Sequence, residues 1–133
     1  MARIAAIKSA LTSVLLAVAI TGPLAQARSL ADRHADSHPA VIHVAELPKQ
    51  GRETFELIRQ GGPFPYGKDG AVFGNRERLL PGEKRGFYRE YTVKTPGSRD
   101  RGARRIVCGG PVRAPHACYY TADHYASFQK IVE

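Results

Sequence analysis

The sequence predicts an α+β domain, one N-terminal helix packed on a twisted antiparallel β-sheet. Three observations carry this. One stretch, Lys49 to Gly62, has helical spacing. Strand-like runs then crowd together from Phe87 to the end of the chain. Between helix and strands lies a region dense in Gly, Pro, Asn and Asp, which favours turns. A chain of 133 residues with no internal repeat has room for one such domain.

The elements follow in order. Residues 1–27 have a basic start (Arg3, Lys8), a short apolar run from Ala10 to Ile20 and a small-residue site at Ala25-Gln26-Ala27. That order describes a secretory signal peptide cleaved after Ala27, because the apolar run is too short for a membrane span. The polar, aperiodic stretch 28–40 reads as a flexible leader, which leaves 41–133 as the folded domain. "VIHVAEL", Val41 to Leu47, reads as a first strand stopped by Pro48. In the next segment Gly51, Thr54, Phe55 and Ile58 share one helix face, and Gly61-Gly62 supplies the stop. Pro63 to Gly86 reads as loop, with "AVF" (Ala71–Phe73) as a short strand within it. Strands are then expected at Phe87–Lys94, Arg104–Cys108, Ala117–Thr121 and Ser127–Val132.

The formal charge is +8, falling to +6 once Arg3 and Lys8 leave with a segment that contains no acid. A small exported protein this basic attracts polyanions, nucleic acid among them, although charge alone does not choose the partner. Cys108 and Cys118 are the only cysteines. Export and their closeness around "GGPVRAPHA" favour a disulfide closing a hairpin. The competing zinc site would use His116 as well, but no fourth ligand is evident.

Side chains alternate along a strand, so Tyr88, Glu90, Thr92 and Lys94 share one face. A hairpin centred on Gly97-Ser98 would put Arg105 directly across from Glu90, and pairing the two cysteines would put residue 121 opposite Arg105. His124 follows three residues later, and Arg101 lies on the hairpin. A carboxylate facing arginines can be a plain surface ion pair, which contributes little. Together with a histidine it also suits metal-free cleavage of RNA, whose 2′-OH is a built-in nucleophile. Glu90 would take that proton, His124 would protonate the departing 5′-oxygen, and Arg105 and Arg101 would hold the phosphate and its developing charge. No cofactor or metal is required, and DNA, lacking the 2′-OH, would not be cleaved.

From Val41 to about Ile131 the sequence resembles the guanyl-specific microbial ribonucleases, ribonuclease Sa most and barnase more distantly. The motifs are "LIRQGGPFPYGKDGAVFGNRE", "EYTVKTPGSRDRGARRI" and "YYTADHYASF". The resemblance implies the same four catalytic roles, and an endoribonuclease that cuts single-stranded RNA 3′ of guanosine through a 2′,3′-cyclic phosphate. It also implies a guanine site in "FGNRE". There the backbone N–H groups of Gly74, Asn75 and Arg76 face the base edge, Glu77 accepts from its N1 and N2 donors, and Phe73 walls it. Tyr125 would assist at base and phosphate. Unpaired bases are commonly read by such stacking and edge contacts.

Three features depart from the family pattern. Gly74 stands where a larger side chain is common. His43 replaces a cysteine of ribonuclease Sa, and that cysteine's partner is also missing, so Cys108–Cys118 would be a different staple. The leader 28–40 has no counterpart. His34, His38, His43 and His116 read as surface or strand histidines, Arg76 and Arg104 as loop and sheet residues, and Tyr66 as turn packing. The competing function is a non-catalytic basic protein that binds RNA or anionic surfaces, which has no use for Glu90 or Glu77. A monomer is expected, and an exported ribonuclease implies, by analogy, an acidic inhibitor of the barstar kind in the producing cell.

Overall fold

The computed structural model describes residues 38–133, so the expected signal peptide and most of the leader lie outside the described residues. A six-stranded sheet runs in the order β1-β6-β5-β4-β3-β2, with helix α1 (Lys49–Gln60) between β1 (Ala40–His43) and β2 (Ala71–Phe73). The other strands are β3 (Tyr88–Thr92), β4 (Arg105–Gly109), β5 (Ala117–Thr121) and β6 (Gln129–Val132). All pairings are antiparallel except β1 with β6, which is parallel. The fold is thus α+β as expected, with one parallel edge that strand patterning does not reveal. The first strand is shorter than expected: a 3-10 turn takes over at Val44–Glu46.

Helix α1 buries Gly51, Thr54 and Ile58 and ends at Gly61, which is left-handed and donates its N–H to Leu57 O at 2.9 Å. Phe55 is only partly buried at the margin of the same core. The sheet separates two apolar clusters. On the helix side Ile58 and Leu47 pack with Tyr91, Val93, Ile106, Tyr120 and Ile131. On the other side Leu80, Tyr88, Val107, Tyr119 and Phe128 pack together, joined by Phe73 and Tyr125.

Cys108 and Cys118 are directly opposite one another on β4 and β5 and form the expected disulfide. They belong to the helix-side cluster. Glu90 and Arg105 project from the other face, since they alternate with Tyr91 and Ile106. The staple and the candidate site are therefore on opposite faces of the sheet.

The β3–β4 register differs from the expected one by two residues. Glu90 pairs with Val107, and Arg105 pairs with Thr92. The strands close about a centre between Ser98 and Arg99 rather than at Gly97-Ser98. A two-residue shift preserves the face, so Arg105 remains on Glu90's side, diagonal to it rather than opposite. The pairing of Arg105 with Thr121 is as expected.

Candidate active site

Glu90 sits in the middle of β3 on the site-side face, with its side chain 15% exposed. One carboxylate oxygen accepts from Arg101 at 3.2 Å. The other accepts from the Tyr125 hydroxyl at 2.5 Å. Burial first, then the hydrogen bond and charge of Glu90, push the Tyr125 phenol up to about 12, with Arg105 pulling the other way. The phenol is therefore a neutral donor throughout the neutral range.

The two arginines are held differently. Arg101 Nε donates to Thr92 Oγ1 at 3.0 Å, so its fork is fixed between Thr92 and Glu90. Thr92 is itself fixed, its N–H donating to Asp69 and its carbonyl accepting from Thr54 of α1. Arg105 is 3% exposed, and its Nη1 donates to the carbonyls of Gly102 and Arg104 at 2.9 and 2.8 Å. Its Nε–H is buried with no protein acceptor. A buried donor of this kind costs free energy while it has no acceptor. The connecting loop needs Gly102 to bring these groups together. Gly102 has φ of +64°, and a Cβ there would lie 2.9 Å from Thr95 Cβ.

His124 and Tyr125 are consecutive residues with positive φ, +54° and +69°. For bulky residues this is strained backbone, and it persists only where the surroundings over-determine it. Here His124 N donates to Ala103 O at 3.0 Å, and Tyr125 N to Thr121 Oγ1 at 3.2 Å. Asp123 ties the same turn, accepting from Thr121 Oγ1, Ser127 N and Ser127 Oγ. The turn leaves His124 exposed at the rim and lays Tyr125 against Phe73, ring centroids 5.1 Å apart. The Arg105 guanidinium is 5.9 Å from the Tyr125 ring centre.

The loop after β2 is organised by Asn75, which has φ of +47°. Its side-chain amide donates to Leu80 O at 3.0 Å and accepts from Leu80 N at 3.1 Å. Leu80 is buried in the site-side core, and Tyr88 donates to Pro81 O at 2.7 Å. Asn75 thus spends its side chain on closing the loop, leaving only its backbone for a ligand. Glu77 is exposed, free of any protein hydrogen bond among the described residues.

A cavity of about 440 Å³ joins these parts, lined by Glu90, His124, Tyr125 and the whole run from Phe73 to Glu77. Arg101 and Arg105 do not line it; they reach the site through Glu90 and from beneath Tyr125. Leu79, Val72 and Phe128 complete the wall and were not expected from the sequence. Nor was Asp123, although its spacing from Thr121 and Ser127 is that of a side chain capping its own turn.

A family model described as ribonuclease matches residues 30–132. The guanyl-specific ribonuclease St of Saccharopolyspora erythraea is 51% identical over 88 residues, 66% of this chain and 83% of that protein. The chain belongs to the guanyl-specific microbial ribonucleases. This ribonuclease is also 58% identical to guanyl-specific ribonuclease Sa3 of Kitasatospora aureofaciens over 85 residues, 64% of this chain and 58% of the length of that relative. A solved structure of ribonuclease Sa2, described as complexed with mononucleotides, superposes with a TM-score of 0.67 at 47% identity, covering 71% of this chain and 95% of that one.

Proposed function

We propose that this ribonuclease cleaves single-stranded RNA 3′ of guanosine, with Glu90 as general base and His124 as general acid. The observation that carries this is one cavity holding both groups together with the Phe73–Glu77 loop. The guanine edge lies along the backbone of Gly74, Asn75 and Arg76, with its N1 and N2 donors on Glu77. Phe73 and Tyr125 are already in direct contact, so the base lies against this aromatic wall and not between its rings. Each Glu90 oxygen keeps a further lone pair beside the one taken by Arg101 or Tyr125, and receives the 2′-OH proton there. As the 2′-oxygen bonds to phosphorus, charge builds on the phosphate oxygens. On this reading the Arg105 and Arg101 guanidiniums and the Tyr125 hydroxyl stabilise that charge. His124 protonates the departing 5′-oxygen, leaving a 2′,3′-cyclic phosphate. Hydrolysis to the 3′-phosphate reverses the two roles, His124 activating water and Glu90 returning its proton.

The protein acts outside the cell or in a periplasm after cleavage near Ala27, as a monomer, and its basic surface suits an acidic inhibitor protein in the producing cell. The test is a single-stranded RNA with one guanosine, incubated in excess EDTA and resolved by mass. Cleavage 3′ of the guanosine with a cyclic phosphate end is expected. Glu90→Gln should lower the rate by about 10²–10⁴-fold while retaining RNA binding. An intact oligonucleotide with folded, disulfide-bonded protein would favour a non-catalytic RNA-binding role, and an unchanged rate in the variant would remove Glu90 from its place as base.

A further inference from the structure

A second cavity, about 600 Å³, adjoins the first. The two share the run from Val72 to Arg76. The second is closed by Glu83, Lys84, Arg85 and Gly86, and Tyr88 also lines it. Its ionisable lining, Tyr88 aside, is three cations, Arg76, Lys84 and Arg85, against one anion, Glu83. Among the described residues none of the three cations is in an ion pair. Their placement is not that of loosely spread surface charge. Lys84 and Arg85 occupy the first two positions of a turn in which Phe87 N donates to Lys84 O at 3.1 Å. Gly86 has the positive φ, +86°, that this turn requires. Arg76 is directed by a second glycine: a Cβ on Gly74 would lie 3.6 Å from Arg76 Cγ and 3.8 Å from its Nε, so the arginine lies across the bare Cα of Gly74.

We propose that this cavity is a subsite for a non-scissile phosphate of the RNA substrate, held by Lys84 and Arg85 with Arg76 at the shared wall. The inference rests on the reading of the neighbouring cavity as the guanosine site. The ligand class follows from the chemistry. Paired cations on a fixed turn attract a phosphodiester, and a strand whose base enters the first cavity carries its next phosphate along the same wall. Glu83 beside them disfavours a carboxylate-rich or multiply charged ligand and leaves room for a singly charged diester. Tyr88 forms an apolar floor rather than an anion contact, since burial keeps its phenol neutral and its hydroxyl is committed to Pro81.

The experiment compares a dinucleoside monophosphate with guanosine on the 5′ side, which has only the scissile phosphate, with the same substrate extended by one nucleotide 5′ or 3′. One extension is expected to raise kcat/KM about three- to tenfold at low salt. Lys84→Ala/Arg85→Ala should abolish that gain while cleaving the dinucleoside at the wild-type rate, and the side on which the gain appears identifies the phosphate. A gain that survives in the double variant, or no gain on either side, overturns the subsite. Should the wild-type protein cleave none of the three, the catalytic reading fails instead. The subsite is then tested with a trinucleotide whose guanosine is 2′-deoxy. Shifted amide resonances at Lys84 and Arg85, and a log–log salt slope smaller by about one in the double variant, support it. Unshifted resonances or an unchanged slope overturn it.

Discussion

At the scale of single residues, the costly feature of this site is the backbone of His124 and Tyr125. Two large side chains in left-handed conformation cost on the order of 1–3 kcal/mol each, and the turn between β5 and β6 has to offset that. Asp123 is the residue that does so. It accepts from the side chains of Thr121 and Ser127 and from Ser127 N. The Ser127 hydroxyl first, then Ser127 N–H and Thr121, hold its carboxyl below the ordinary aspartate range. A carboxyl lowered in the folded state stabilises above its unfolded pKa, about 3.9, and loses that contribution as pH falls through the lower folded value. Asp123→Ala is therefore expected to lower the urea midpoint at neutral pH, with the gap to wild type closing toward about pH 2. The variant should also lose kcat more than it raises KM, because the turn aims His124 and Tyr125 while the Phe73–Glu77 loop proposed to hold guanine is built elsewhere. A midpoint gap constant from neutral to acid would show that Asp123 acts through something other than its charge. A rise in KM alone would show that it does not position His124 for the acid role proposed for it.

At the scale of elements, the β4–β5 hairpin has a staple that the site does not touch. Cys108 and Cys118 close a loop of sequence separation 10 and belong to the helix-side cluster, whereas Glu90 and Arg105 are on the opposite face. Removing the bridge in Cys108→Ala/Cys118→Ala should cost about 2–3 kcal/mol by loop-closure entropy, read as a lower urea midpoint. The folded variant should cleave RNA at close to the wild-type rate. A large loss of rate with the fold intact would mean that the bridge sets the sheet geometry on the site side. The same elements mark how far the sequence could be read. Helix α1 follows from its 3.6-residue spacing, and the Cys108–Cys118 pairing from the closeness of two cysteines in a chain read as exported, because these are local signals. The β3–β4 register does not. Its loop is no tight turn: Ser98 N closes on Thr95 O, and Asp100 then accepts from Ser98 Oγ and Gly102 N, moving the centre of the hairpin. Glu90 and Arg105 still share a face because the error was even. The parallel β1–β6 edge is a contact between the two ends of the domain, which no local pattern encodes. The motif gave Asn75 a backbone role only; that its side-chain amide closes the loop on Leu80 is a long-reach contact that the motif does not encode.

At the scale of the whole molecule, tyrosine hydroxyls link the two cores to the protonation state of the chain. Burial raises the phenols of Tyr91 and Tyr120 on the helix side and of Tyr88, Tyr119 and Tyr125 on the site side. Tyr88 is pushed up to about 12, by burial first and then by Tyr119 and Glu83. A phenol with an unfolded pKa near 10 and a raised folded value stabilises fully below about 10. That contribution disappears as pH rises through the folded value, when the buried phenolate must be accommodated or exposed. Alkali should therefore unfold the domain between about pH 10 and 12, and Tyr88 offers the cleanest single test. Its hydroxyl donates to Pro81 O at 2.7 Å, tying the loop after β2 to β3, while its ring fills the site-side core. Tyr88→Phe keeps the ring and loses the hydrogen bond, so it should be less stable at neutral pH by about 1 kcal/mol. It should also lose stability less steeply in alkali, because it has one fewer buried group to ionise. The wild-type and Tyr88→Phe curves of urea midpoint against pH are expected to converge across that window. Parallel curves would mean that Tyr88 ionises at the same pH folded and unfolded, and that alkaline unfolding of this molecule starts from the other tyrosines.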